Sequence, residues 1–418
     1  MKSKHIWINS FLLIASLVSG VAIGEIMARI FFGSPHGHAL FSKQSAEAHA
    51  ALLKTISDVR LLHRVPPNSR GHDERGFRNP PGRDTAEIVV IGDSQTWGIN
   101  VRRDETWPAM LETIGQMSVY SMSLGGWGPI QYELLAIDAL ALQPKAILVG
   151  MYLGNDIFDS CNHVYGTDLY QKYRQTDAAY TSSLSDLQRR LKAAQNSTRE
   201  DDARHRLEEM GATGKMVQAL ARRSVLVQIL MSRGLLPAIP SVDELYEIAD
   251  VAWAQGHPMA AYFYRGSNGS TVLTFGYRGV AVDLGNACIR EGVRITKEVV
   301  VSLQALGART GIQVGIVFIP SKEFVYASAD PVMGTHIDGG LEDLVGNERA
   351  IKADLLGQCE AVGIVCVDAA PLMVTSAQHG VPLYRGDSDG HPIAEGYRQI
   401  ARAGQQVLKS MGVHRETR

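Results

Sequence analysis

The stretch Glu87-Ile-Val-Val-Ile-Gly-Asp-Ser-Gln-Thr-Trp-Gly98 decides the fold. Ile88 to Ile91 form an unbroken β-branched run, which suits a strand covered on both faces, as in a parallel sheet. The run stops at Gly92, and the residues beyond it enter a helical pattern. A serine on such a strand-to-helix turn carries its hydroxyl at the carboxyl edge of the sheet, where α/β proteins build their sites. The following helix aims free N–H groups and the positive end of its dipole at the same point. Gly-Asp-Ser by itself also suits a tight turn or a helix cap; in the functional reading Ser94 is placed to attack a carbonyl and, through its own N–H, to stabilise the resulting oxyanion. A serine hydroxyl is a weak nucleophile by itself and needs a base within hydrogen-bond reach.

Outward from this stretch, strand, loop and helix patterns repeat. Ser118 to Ser121, Ala146 to Met151, Val314 to Ile319 and Gly363 to Val367 are short apolar runs that predict further strands of the same parallel sheet. Between about 160 and 295 the rhythm breaks. Charged, helix-prone segments such as Leu184 to Gln195, Asp201 to Met210 and Met216 to Arg233 predict a largely helical insertion, its charges suiting a solvated helix face or, alternatively, a cap over the site. Residues 33–84 pass through Pro66-Pro67 and Pro80-Pro81 and read as a polar lead-in segment, so the α/β domain is expected at 85–418.

At the start, Lys2, Lys4 and His5 precede an uncharged stretch from Ile6 to Gly24. As a helix it would span about 28 Å, near the hydrocarbon thickness of a bilayer. Residues 1–32 are therefore expected to be a transmembrane anchor in the inner membrane, its lysines cytoplasmic and all that follows facing the periplasm or cell exterior. A cleaved signal peptide is the alternative. Cys161, Cys288, Cys359 and Cys366 lie in the exported portion, where three pairings or burial as free thiols are open to them. The net charge of −2 and the lack of a basic stripe exclude a nucleic-acid backbone as partner. No histidine spacing matches a metal motif, so neither metal nor cofactor is expected. Asn196-Ser-Thr198 and Asn268-Gly-Ser270 match the glycosylation sequon, a pattern short enough to arise by chance.

Three more constellations bear chemistry. Tyr120-Ser-Met-Ser-Leu-Gly-Gly-Trp-Gly-Pro-Ile-Gln131 is a glycine-rich loop after the second strand, fit for close backbone approach to a ligand or simply for a tight turn. Gly154-Asn-Asp156 ends the third strand, where an asparagine amide can donate to a developing negative charge. Asp387-Ser-Asp-Gly-His391 precedes the final helix and offers an imidazole with a carboxylate to orient it.

In this order the four elements resemble the sequence blocks of the SGNH (GDSL) hydrolase superfamily over about 74–160 and 295–405. Asp73-Glu-Arg-Gly-Phe-Arg78 and Pro320-Ser-Lys-Glu-Phe-Val-Tyr326 are similar to segments of its membrane-anchored bacterial members. The resemblance implies a three-layer α/β/α flavodoxin-like parallel sheet, with Ser94 as nucleophile and oxyanion donor, Asn155 as side-chain oxyanion donor and His391 as base. Two positions depart from the family pattern. Where Asn-x-Gly is usual, Ser121 and Ser123 stand, so Ser123 and Gly125 compete as backbone oxyanion donor. Where the acid is usual, three residues before the histidine, Ser388 stands. Asp389 is then the expected acid, because Asp-x-His occurs in related polysaccharide acetyltransferases, and Asp387 is the alternative. The activity implied is that of an esterase or O-acyltransferase on O-acetyl groups of an extracytoplasmic polysaccharide, or on another small ester. The alternative is a non-catalytic carbohydrate-binding protein with polysaccharide-assembly partners.

Overall fold

The computed structural model describes residues 54–176, 178–195, 247, 250–252, 254–266, 269–330 and 340–414. Every element below belongs to one compact unit, drawn from Phe41–Ser197 and Asp250–Arg418. Its centre is a parallel sheet of β3 (Ile88–Gly92), β4 (Val119–Ser123), β5 (Ala146–Tyr152), β8 (Gln313–Ile319) and β9 (Val365–Asp368), in the order β4-β3-β5-β8-β9. Numbered along the sheet's own strands this is 2-1-3-4-5, the flavodoxin-type doubly wound order. Ile88, Val89, Val90 and Ile91 are wholly buried, as expected of a strand with helices on both faces. The chain turns one way from β3 to β4 and then crosses back to β5, so the topological switch point lies between β3 and β5.

Helices α3 (Pro129–Ala139), α4 (Asp156–Tyr165) and α7 (Ala287–Thr310) pack together as one layer. Helices α2 (Trp107–Gly115) and α11 (Ala394–Ser410) pack against each other as another. Trp107, Leu111 and Tyr397 are buried there, beneath the strand that leads to Ser94. The bridge Cys161–Cys288 ties α4 to α7, and Cys359–Cys366 ties α9 (Gly340–Val362) to β9, so the cysteines pair in this one of the three arrangements.

The lead-in behaves differently from a spacer. From residue 54 it folds onto the α/β domain, so the boundary expected at 85 falls inside a packed unit. β1 (Ile56–Asp58) and β2 (Leu62–Arg64) form an antiparallel hairpin, with Leu61 and Val65 buried. Asn79 then borders β4, donating through Nδ2 to Ser121 O and accepting from Ser121 N, both at 2.9 Å. The buried Asp73 carboxylate accepts from Arg75 N, Phe77 N, Asn79 Nδ2 and Tyr120 Oη. Beside the apolar contacts of Leu61, Val65 and Phe77, polar side chains on backbone groups bind the segment, and these leave no hydrophobic period in the sequence.

In the interval expected to be largely helical, α5 (Ala178–Gln195) and α6 (Phe275–Ala281) are accompanied by an antiparallel hairpin, β6 (Tyr262–Gly266) with β7 (Gly269–Leu273). Its aromatic and β-branched residues account for the strands. The helices expected at 201–210 and 216–233, and the anchor expected at 1–32, lie outside the described residues. Among the described residues no helix is long and apolar enough to cross a membrane.

Candidate active site

Ser94 opens the short helix α1 (Ser94–Trp97) directly after β3, with Asp93 as its N-cap accepting from Gln95 N at 2.9 Å. The far end of α1 is held from the lead-in. Arg78 donates to the carbonyls of Trp97, Gly98 and Val101 at 3.0, 2.7 and 2.8 Å, and its guanidinium lies 4.3 Å from the Trp97 ring centre. Burial lowers the Arg78 pKa to about 10, still a charged group at neutral pH.

His391 stands between α10 (Ala370–Gln378) and α11, and its Nε2 lies 2.9 Å from Ser94 Oγ. Its Nδ1 lies 2.6 Å from Asp389 Oδ1. An ionised carboxylate only accepts, so Nδ1 carries the proton and Nε2 is left as the acceptor for the serine hydroxyl. Asp389 also accepts from His391 N at 2.9 Å and from Asn100 Nδ2 at 3.0 Å. Burial alone would raise its pKa. The facing imidazole, with the hydrogen bonds from His391 and Asn100, outweighs burial and holds the carboxyl well below the usual carboxylate range.

Asp387 takes another place. Its Oδ2 pairs with Arg385 Nε at 2.8 Å and its Oδ1 accepts from Asp389 N at 3.0 Å, so it shapes the loop rather than touching the imidazole. Burial raises its pKa above the ordinary value, against the pull of Arg385 and Lys322. The loop is pinned from beneath by Lys322, which is wholly buried and donates through Nζ to Asp387 O, Asp389 O and Thr271 Oγ1 at 3.0, 3.0 and 3.2 Å. Gln95 Nε2 reaches Gly390 O at 3.3 Å, linking the nucleophile helix to the histidine loop.

Of the two candidate backbone donors, Gly125 adjoins the nucleophile: a Cβ built on it would lie 3.4 Å from Ser94 Cβ. Ser123 sits in the ladder opposite Gly92, its hydroxyl 2.8 Å from Ser121 Oγ. The His63 ring contacts Gly125 O through Nε2 at 2.8 Å and so fixes the glycine loop from the lead-in hairpin. Asn155 is the N-cap of α4, across the switch point from Ser94. Its Nδ2 donates to Asp159 Oδ2 at 2.9 Å, which sets the amide's orientation and leaves its second proton uncommitted. Burial holds the Asp159 pKa well above the ordinary value, with the nearby Asp93 adding to the effect.

Arg278 on α6 also borders the site and carries no motif that would single it out. Among the described residues, its Nε is buried without a hydrogen-bond partner. The guanidinium lies 5.4 and 5.2 Å from the ring centres of Tyr152 and Tyr277. A Cβ built at Gly390 would come within 2.7 Å of its Nη2, so the guanidinium packs directly against the residue before His391. Among the described residues no cluster of His, Cys, Asp or Glu could hold a metal ion.

Taken together, a serine hydroxyl, an imidazole oriented by a carboxylate, and donors from two strand ends form a constellation capable of nucleophilic acyl transfer. The sequence matches no family model and no curated protein. Among solved structures it is similar to a protein described as lipolytic and of the G-D-S-L family from Desulfitobacterium hafniense, at 11% identity and TM-score 0.33, over 77% of this chain and 98% of that one. It is also similar to phospholipase A1 from Streptomyces albidoflavus, at 11% identity and TM-score 0.35, over 78% and 99% of the two chains. A third is an alpha/beta hydrolase from the metagenome of Lake Arreo, at 12% identity and TM-score 0.30, over 80% and 100%.

Proposed function

We propose that this chain is a serine-dependent esterase or O-acyltransferase of the SGNH type, with Ser94 as nucleophile, His391 as base and Asp389 as the orienting acid. The observation that carries the reading is the hydrogen-bonded chain Ser94–His391–Asp389 at the carboxyl edge of the sheet. Ser94 Oγ attacks the ester carbonyl carbon while His391 Nε2 takes its proton. The oxyanion is held by the N–H groups of Ser94 and Gly125 and the amide of Asn155. Collapse expels the alcohol, which takes the proton from His391, and leaves acyl-Ser94. Water then regenerates the serine in a hydrolase cycle, and a sugar hydroxyl does so in a transferase cycle. The Asp389 carboxylate at His391 Nδ1 supports the catalytic reading over a non-catalytic carbohydrate-binding role.

The substrate we assign is an O-acetyl group, or another small ester, on an extracytoplasmic polysaccharide or other envelope molecule. The N-terminal span expected at 1–32 would hold the domain at the inner membrane on the periplasmic side, and two disulfides accord with an oxidising compartment. The test is acetate release from p-nitrophenyl acetate by the purified protein and by Ser94→Ala. Turnover that falls by roughly three orders of magnitude or more in the variant is expected. Equal turnover in both proteins would refute Ser94 as the nucleophile.

A further inference from the structure

Arg278 is a cation set beside the reacting groups with its hydrogen-bonding capacity unspent. Its Nε is buried without a partner among the described residues, and none of them forms an ion pair with it within 4.0 Å. Glu323, a carboxylate whose charge Arg278 feels, receives Thr274 N and Thr274 Oγ1 on Oε1, at 2.8 and 3.1 Å, and its Oε2 is likewise buried without a partner, so it offsets the guanidinium through space and takes no hydrogen bond from it. Asp389 is committed to His391 and Asn100. Leaving a partly buried guanidinium without a bonded anion is costly, and a structural cation would be expected to carry its pair within the fold. The aromatic faces of Tyr152 and Tyr277 support the guanidinium plane without using its N–H fork.

Position decides what such a fork would meet. Nη2 abuts Gly390, the residue before His391. In the mechanism proposed above, His391 delivers its proton to the departing alcohol oxygen, so the alcohol portion of the ester lies on this side, whereas Gly125 and Asn155 face the acyl oxygen. A planar guanidinium fork matches a carboxylate or phosphate bidentately.

We propose that Arg278 binds an anionic group, a carboxylate or phosphate, carried on the alcohol portion of the substrate close to the scissile ester. The acylated molecule is thus an acidic saccharide rather than a neutral one. This rests on the esterase or acyltransferase reading, and the experiment separates the two.

Acetate release by the purified full-length protein is measured on three acetylated methyl glycosides matched in ring and acetylation position: a galacturonate, a galactose 6-phosphate and a galactose. The wild type is expected to favour at least one anionic glycoside over the neutral one by about 10- to 100-fold in kcat/KM, the better of the two naming the anion. Arg278→Met should bring that ratio near one, and Arg278→Lys should leave it in between. A ratio near one in the wild type, or one that survives Arg278→Met in a protein with wild-type circular dichroism, would overturn the proposal. Binding of free galacturonate and galactose 6-phosphate to Ser94→Ala by calorimetry needs no turnover. Affinity lost about tenfold or more in Ser94→Ala with Arg278→Met supports the anion subsite even where acetate release fails, and affinity that is absent or unchanged sinks it.

Discussion

Asp387 and Asp389 stand two positions apart in one loop, yet their surroundings differ in kind. Asp389 faces the imidazole and is stabilised as an anion, whereas Asp387 spends one oxygen on Arg385 and the other on a backbone N–H. Replacing the first leaves His391 without the acceptor that fixes its tautomer. Asp389→Asn is therefore expected to lower kcat by about four orders of magnitude, as loss of the orienting acid does in serine hydrolases. Asp387→Asn keeps the loop's hydrogen-bonding shape and should cost about tenfold or less. Turnover of p-nitrophenyl acetate by the two variants decides between the aspartates, and equal losses would contradict the geometry. This choice could not be read from spacing, because Asp-Ser-Asp-Gly-His places both carboxylates near the histidine and only the turn of the chain selects one. Arg278 was beyond reach for a similar reason. A lone cation has no pattern, and its role is given by what the fold brings around it.

Among the elements, the five strands were legible because each is a β-branched or apolar run bounded by glycine or polar residues, and burial on both faces demands such runs. The lead-in was not: Asp73 to Arg78 carried a family resemblance, but no period in the sequence showed that Asp73, Arg78 and Asn79 would attach the segment to the domain. The β6–β7 hairpin was missed although Asn268-Gly269 stands between two aromatic and β-branched runs, a recognised turn signal. The lead-in carries the sharper consequence. Arg78 supplies three carbonyls around the end of α1 with donors they cannot find elsewhere in an apolar setting. Arg78→Met preserves bulk and removes the donors, and is expected to destabilise the domain by about 2–4 kcal/mol in urea unfolding. A loss within about 0.5 kcal/mol would mean that the segment is only laid on the surface.

Over the whole molecule, several carboxyls are buried where their charged form is disfavoured. Burial raises Asp93 to about 6 and Glu348 to about 7, and Asp156 and Asp159 lie well above their ordinary value. A raised pKa means that the folded protein binds these protons more tightly than the unfolded chain. The associated stability is complete below about pH 4 and is lost as pH rises through the folded values. Asp389 acts oppositely, but only as pH falls below about 4. The buried His163 and His72, whose pKa burial lowers, act against this up to about pH 6.5, so Tm should decline between about pH 6.5 and 8, and Glu348→Gln, which no longer titrates, should flatten that decline. A Tm that climbs over this range would show that the buried carboxyls do not govern the balance.

The hydrogen bond between His391 and Ser94 spans 297 positions of the chain. During synthesis the nucleophile is therefore made long before its base, and every truncated product that ends ahead of residue 391 has a serine with nothing to activate it. Under the proposed mechanism, activity requires a chain made at least through His391 and the loop that holds it. By the same mechanism, a nascent fragment that stops short of that loop could not cleave an ester, with no separate inhibitor required.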